Sequence, residues 1–363
     1  MEKFDIFAKN IEAMANENEA PFVFGVRVEG DTFTDRKEET NRLKMNFLYG
    51  VNTILISPRR MGKTSLVEKV SSMVECESLK IAKIDAFGCR SENDFINAFA
   101  TAVVRATSTK LEEWIENTVT EDILQLPETI AKQKGIKIVI CIDEFQQIAD
   151  FPDSLTFQKK LRSIWQLQRN VSYCLYGSKK HMMETMFQSQ SHPFYRFGDI
   201  FYLNKIAESD WVEFICNRFK VTGKEISPEL ATEICNVTDR YSSYVQQLSW
   251  LVWLRTTFRA TKEDVEYGID HMLDACEPLF IQQTESLSSY QMNFLRALTD
   301  GVTTGFTRSE ILNNYQLGTA ANISRLKKAL MEKDLIALTA PKKLQISDPI
   351  LALWLKRRVW RTR

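Results

Sequence analysis

The sequence is short of the residues from which metal staples and disulfide frameworks are built. Its seven cysteines stand singly, with no CxxC pair and no Cys/His cluster, so neither a zinc site nor a cross-linked scaffold is indicated. The three histidines, His181, His192 and His271, lie far apart and fit no metal spacing; they read as surface or packing residues. Nowhere is there a run of eighteen apolar residues, and the opening MEKFDIFAKN is charged and lacks an apolar segment, so neither a membrane span nor a signal peptide is read. A cytoplasmic protein with reduced thiols and no membrane contact is the expectation. Charge of one sign is lacking too. The 47 basic residues match 47 acidic ones, which excludes a globally basic protein that coats nucleic acid. No internal repeat or low-complexity stretch breaks the chain.

What is present is core material. With 363 residues, 44% of them hydrophobic and 11% aromatic, the chain can build two or three ordinary domains. Its charge is unevenly spread. Between Gln316 and Arg363 eleven basic residues face only Glu332, Asp334 and Asp348. This basic end, closing on Lys356-Arg357-Arg358-Val359-Trp360-Arg361-Thr362-Arg363, reads either as a surface for a localised anionic partner or as a solvated terminus.

Apolar runs rich in Ile, Val and Tyr recur at 52–57, 79–85, 137–143, 172–177 and 199–203, each followed by helix-like sequence or a connecting loop. That alternation predicts an α/β domain with a parallel sheet, whose ligands sit at the carboxyl ends of the strands. From about Lys205 to Leu279 the strand signal stops. Aromatic and aliphatic residues at helical spacing, as in 211–219 and 244–254, predict a helical subdomain, with Trp211, Trp250, Trp253 and Trp354 as core residues rather than base-stacking platforms. Beyond Ser286 the pattern predicts helices at 290–298, 307–313 and 319–333, then a hairpin with strands at 336–339 and 344–347, which is the outline of a winged helix. Its third helix keeps Ile323, Leu326 and Leu330 on an inner stripe and turns Ser324, Arg325, Lys327 and Lys328 to other faces, where they could meet a DNA groove or a protein partner. The expected domains are 1–204, with a lead-in over 1–30, then 205–282 and 283–363.

The chemistry concentrates after the first strand. Ser57-Pro58-Arg59-Arg60-Met61-Gly62-Lys63-Thr64 leads into Ser65–Val74, a helix with Leu66, Val67, Val70 and Val74 at core spacing. Exposed N–H groups and the helix dipole favour phosphates at that terminus, Lys63 reaches the outer phosphates, and the Thr64 hydroxyl ligates Mg2+. Gly62 lets the backbone come close. A Gly-Lys-Thr triplet alone says little. Its context, a strand before it, a helix after it and a hydrophobic strand ending in Asp143-Glu144, makes ATP binding the expected chemistry. Asp143 would hold the metal through water and Glu144 would polarise the attacking water, although a solvated strand-end charge is the alternative for Glu144. Adjacent acids at a strand end point to activation of water more than to a small-molecule kinase.

These residues resemble those of the archaeal-type ATPase family, a STAND-like branch of the AAA+ P-loop ATPases that also occurs in bacteria. Phe33-Thr34-Asp35-Arg36-Lys37-Glu38-Glu39 with Leu43 is similar to the family's Phe-x-Gly-Arg-x-x-Glu-x-x-x-Leu box, and Pro58–Ser65 is similar to its Pro-Arg-Arg-x-Gly-Lys-Thr-Ser loop. Gly177-Ser178 before Met182-Met183, and Asp348-Pro349 before Trp354-Leu355, resemble further family segments. The resemblance implies a sheet of AAA+ order, a helical lid and a C-terminal winged helix. It implies nucleotide contacts from Arg36, Ser57, Arg59, Arg60, Met61, Gly62, Lys63, Thr64 and Ser65, with Ser178 as a sensor and Arg196 as the arginine that touches the γ-phosphate. Arg196 could equally form a surface salt bridge and Ser178 could merely cap a turn; Arg196 could serve its own subunit or a neighbour. The chain departs from the family where Ser57 and Asp35 replace glycines, and where Tyr241-Ser242-Ser243-Tyr244 lacks the proline of a Gly-His-Pro segment. ATP rather than GTP is expected from the resemblance and from the lack of an Asn-Lys-x-Asp motif. An ATP-hydrolysing switch, with nucleotide-dependent assembly of several copies among its outcomes, stands beside two alternatives: a non-hydrolysing nucleotide-bound scaffold and a DNA-binding regulator.

Overall fold

The computed structural model describes residues 20–25, 34–107, 120–340 and 343–360. Phe33 of the box, most of the 1–30 lead-in, Pro341-Lys342 of the hairpin and Arg361–Arg363 of the basic tail lie outside them. The described chain forms two compact units, one of 35–206 with 302–348, the other of 207–301 with 349–360 and the residues before Asp35.

The first unit opens with α1 (Lys37–Tyr49) and β1 (Thr53–Ile56), followed by α2 (Lys63–Val74) and β2 (Leu79–Asp85). Next come α3 (Glu92–Thr107), α4 (Thr120–Lys134), β3 (Lys137–Asp143), α5 (Ser154–Trp165), β4 (Val171–Gly177), α6 (Lys180–Gln188) and β5 (Asp199–Tyr202). The five strands form one sheet in the order β2-β3-β4-β1-β5, and all four pairings in it are parallel. β1 and β4 are buried along their whole length, and β3 from Ile138 to Ile142. That is why they read as unbroken apolar runs rather than as alternations: helices cover both faces of a parallel sheet. Trp165 stacks on Tyr173 at 4.0 Å in the core on one face, among Phe99, Phe145, Phe194 and Phe197.

Residues 302–348 of the same unit carry α12 (Ser309–Asn314), α13 (Ala320–Glu332) and the antiparallel pair β6 (Ile336–Ala340) and β7 (Lys343–Ile346). Ile323, Leu326 and Leu330 of α13 are buried, whereas Ser324, Arg325 and Lys328 are exposed, as the helical period requires.

The second unit is helical. It contains α7 (Glu208–Val221), α8 (Pro228–Val237), α9 (Ser242–Arg255), α10 (Lys262–Thr284), α11 (Ser289–Thr299) and α14 (Pro349–Trp354) with the wide turn Leu355–Val359. Trp211, Trp253 and Trp354 are buried and Trp250 is half-buried. The stretch that reads as a winged helix is thus shared between units, α11 and α14 lying in the helical one. The basic run before the terminus is also largely matched: Arg357 pairs with Glu266, and Arg358 with Asp270 and Asp274. Among the described residues no helix is long and apolar enough to cross a membrane.

Candidate active site

The carboxyl ends of β1, β3 and β4 bring the site together, because neighbouring parallel strands in register end side by side. Ile56 is paired with Gly177, and Ile142 with Leu175. Ser57 follows β1, Asp143 ends β3 with Glu144 after it, and Ser178 follows β4.

The loop from Ser57 to Gly62 turns sharply into α2. Arg60 and Gly62 both take left-handed backbone conformations, φ 65° and 86°, and no side chain caps the helix at Gly62. An uncapped helix start leaves N–H donors for a ligand, and its dipole favours a negative one. Ser57 is buried, its hydroxyl donating to Pro58 O at 3.0 Å. Lys63 is also buried, its ammonium donating to the carbonyls of Ser57 at 3.2 Å and Pro58 at 3.1 Å. Burial lowers its pKa, against the pull of Glu144 and Asp143. An ammonium held between neutral carbonyls beside a phosphate-shaped helix start is poised for an anion.

Thr64 donates its hydroxyl to Asp143 Oδ2 at 2.9 Å. Burial pushes the Asp143 carboxyl up to about 6, the Thr64 hydrogen bond working in the opposite direction. A carboxylate with that penalty, next to a hydroxyl, is a hard-oxygen pair suited to Mg2+ that keeps waters and phosphate oxygens as its other ligands. Among the described residues no group of three or more His, Cys, Asp or Glu could hold a metal by itself.

Glu144 has a left-handed backbone, φ 49°, at the head of the 3-10 turn Phe145–Asp150. That turn swings its carboxylate toward β4. Oε2 accepts the Ser178 hydroxyl at 2.7 Å, the Ser178 N–H at 3.3 Å and the side-chain amide of Gln146. Burial tends to raise its pKa, but the Gln146 and Ser178 hydrogen bonds and the charge of Lys63 outweigh it, and the group stays below the usual carboxylate range. Arg59 reaches the same knot, its Nε lying 3.4 Å from Ser178 Oγ.

Arg36 is buried and braces the loop from behind. Its guanidinium donates to Met61 O at 3.0 Å, to Asn204 O and to Glu39 at 3.0 Å, tying the start of α1 to the P-loop and to the second residue beyond β5. Met61 is buried; Ser65 lies in the first turn of α2. Arg196 stands elsewhere. It is exposed, stacks over Tyr195 at 5.3 Å, and no hydrogen bond or ion pair among the described residues joins it to Lys63, Asp143 or Glu144.

Sequence reasoning missed three residues here. Asp348 binds Arg60 at 2.6 Å. Asp334, in the turn after α13, lies within electrostatic reach of Arg59, Lys179 and Glu144. Gln146 holds Glu144, and its position two residues on in a 3-10 turn was the only signal that could have found it.

A parallel sheet in this order, with a phosphate-type loop after its first strand and two adjacent acids at the end of its third, decides the architecture. The fold is that of an AAA+ P-loop ATPase. The chain matches the family described as "Probable winged helix domain" over residues 278–357. It is similar in structure to a Walker-type ATPase of Pyrococcus abyssi, with a TM-score of 0.72 at 16% identity, covering 93% of this chain and 99% of the other. It is similar to the ORC2 protein of Aeropyrum pernix in ADPNP and ADP complexes, with a TM-score of 0.63 at 14% identity over 92% and 97% of the two chains. The ORC1 protein of Aeropyrum pernix in complex with DNA follows at 0.52 and 12% identity, over 91% and 94%. No curated protein sequence matches it.

Proposed function

We propose that the protein is an ATP-hydrolysing switch whose nucleotide state is passed to its winged-helix segment. The observation that carries this reading is the convergence of Lys63, Thr64, Asp143, Glu144 and Ser178 at one uncapped helix start. The main chain from Ser57 to Ser65 receives the phosphates of ATP, with Arg59 and Arg60 beside it and Arg36 keeping the loop in shape. Thr64 and Asp143 would hold Mg2+, which supplies neutralisation of phosphate charge and orients the γ-phosphate. Glu144 takes a proton from a water molecule as the water oxygen bonds to the γ-phosphorus. The bond from that phosphorus to the bridging oxygen breaks, ADP leaves with the electron pair, and inorganic phosphate is released. Lys63 offsets charge on the outer phosphates, and Ser178 keeps Glu144 in place. Arg196 is the γ-phosphate arginine of this reading; since it stacks on Tyr195, it acts after a movement or from a second copy.

The ion pair Arg60–Asp348 supports the coupling. Asp348 is followed directly by Pro349, where the chain enters the helical unit, so a phosphate that draws Arg60 away acts on the covalent junction between units. DNA or a protein is the partner of the winged helix; exposed Arg325 and Lys328 favour a polyanion.

The test is sustained phosphate release from ATP. Glu144→Gln is expected to bind ATP and lose at least about a hundredfold in turnover, and Lys63→Ala to lose binding. Unchanged turnover in Glu144→Gln overturns the assignment of the base. ATP bound without turnover by the wild-type chain favours the scaffold alternative.

A further inference from the structure

Gln146 is a buried amide whose two ends differ: one meets the proposed base and the other meets no partner. It is 2% exposed, and its Nε2 donates to Glu144 Oε2. Its Oε1 is buried without a hydrogen-bond partner among the described residues. The orientation of the amide follows from chemistry, since the opposite one would set a carbonyl oxygen against a carboxylate. A buried carbonyl with nothing to accept is costly. Other buried side chains, Gln158 among them, carry the same cost, but at Gln146 the amide's other end meets the proposed general base.

Gly177 makes room for it. A Cβ added there would lie 1.8 Å from Gln146 Oε1 and 3.0 Å from its Cδ, with Met183 Sδ the next contact at 3.1 Å. Side chains never approach so closely, so any residue larger than glycine at 177 must displace the amide. Gly177 and Gln146 are therefore one device, and Ser178, the next residue, is the other donor to the same carboxylate oxygen.

Resting on the reading of Glu144 as the base, we infer that Gln146, seated against Gly177, is a positioning residue that fixes the Glu144 carboxylate by one oxygen and presents the other to the attacking water. The three donors from Gln146 and Ser178 all fall on Oε2. Oε1 receives none of them. A carboxylate anchored at one oxygen keeps its second lone-pair set in a defined direction, and the aim of a base decides rate more than its binding partners decide affinity. Glu144 needs this anchor because its left-handed backbone and its place at the head of a single 3-10 turn leave it without the support of a regular element.

The experiment is a double-mutant cycle on the full chain, read by kcat, KM for ATP and direct ATP binding. Gln146→Met keeps the volume and removes the donor; it is expected to lower kcat by about tenfold or more with KM and ATP affinity unchanged. Gly177→Ala is expected to lower kcat similarly in the wild-type background and to have no added effect in Gln146→Ala, where the new methyl occupies the vacated space. Thermal midpoints of all variants are followed, and Glu144→Gln is run alongside. If Gln146→Met keeps wild-type kcat while Glu144→Gln abolishes turnover, the positioning role is overturned and the base survives. Additive losses from Gly177→Ala and Gln146→Ala overturn the shared device. If Glu144→Gln itself retains turnover, the base assignment fails first, and that result is read independently of Gln146.

Discussion

Arg60 of the P-loop donates through Nη1 to Oδ2 of Asp348 at 2.6 Å, a contact between residues 288 positions apart in the sequence. One partner stands beside the phosphate-shaped loop, and the other closes the segment that contains the β6–β7 hairpin. Both side chains keep some access to water, Arg60 at 37% and Asp348 at 20%. The pair is therefore worth about 1 kcal/mol or less to stability. Its interest lies in competition, because a triphosphate offers Arg60 a stronger anion than Asp348 does.

Asp348→Asn is expected to tighten ATP binding by about two- to tenfold, since it removes both a competitor for Arg60 and a nearby negative charge, while moving the folding free energy by less than about 1 kcal/mol. Titration calorimetry with Asp348→Asn, Arg60→Ala and the double variant checks this. The gain from Asp348→Asn must shrink in the Arg60→Ala background; an equal gain in both backgrounds would show that Arg60 is not the mediator.

Gly62 sits at φ 86° with nothing within 4 Å of a Cβ placed on it. Gly62→Ala thus meets no other atom of the chain within 4 Å and costs only the conformational strain of a left-handed alanine, about 1 to 2 kcal/mol. ATP binding is expected to fall much further than stability does, because a methyl group there stands where the proposed site would receive the phosphates. Urea unfolding and nucleotide titration on the same preparation separate the two effects.

Asp143 gives a pH signature to the chain without nucleotide and with EDTA present. Its carboxyl is pushed from the ordinary 3.8 up to about 6, so the folded state holds its proton more tightly than the unfolded state does. The associated stability is complete below the unfolded value and is lost as pH rises through about 6. Asp143→Asn mimics the protonated form: its oxygen keeps the bond from the Glu144 N–H and its amide donates to the Thr64 hydroxyl. It should exceed the wild type by about 1 to 3 kcal/mol at pH 8 and match it near pH 4. Urea midpoints at three pH values decide; an advantage that grows toward low pH would refute the assignment.

Glu128 in α4 is 6% exposed and accepts the N–H of Arg169, the N–H of Asn170 and the Asn170 side-chain amide, with Lys132 at 3.3 Å. It fixes the turn that feeds β4, and through it the position of Gly177 and Ser178. Glu128→Ala is expected to cost about 2 to 4 kcal/mol, measured by denaturant unfolding. A loss under about 0.5 kcal/mol would mean that the turn holds without it.

The sheet was legible because it is buried on both faces. The readings of 79–85 and 137–143 coincide with β2 and β3, and the other three strands differ by a residue or so at an end, where pairing rather than composition sets the limit. The winged-helix elements were legible for a different reason: α13 has its apolar stripe at helical spacing, and the hairpin follows directly. At the basic end, one-dimensional charge counting gives no sign of the acids that α10 lays beside Arg357 and Arg358.

By itself the sequence determined the secondary elements and the residue types of the phosphate loop, because local periodicity, a glycine before a lysine and acids after an apolar run are short-range properties of the chain. Tertiary structure alone decided which side chains act on one another. Parallel register places Ser178 and Gln146 on Glu144, leaves Arg196 on Tyr195, and sets Asp348 on Arg60. Those partnerships join residues up to 288 positions apart, and no local pattern carries information across such a distance; only the packing of the sheet and the closure of the chain upon it does.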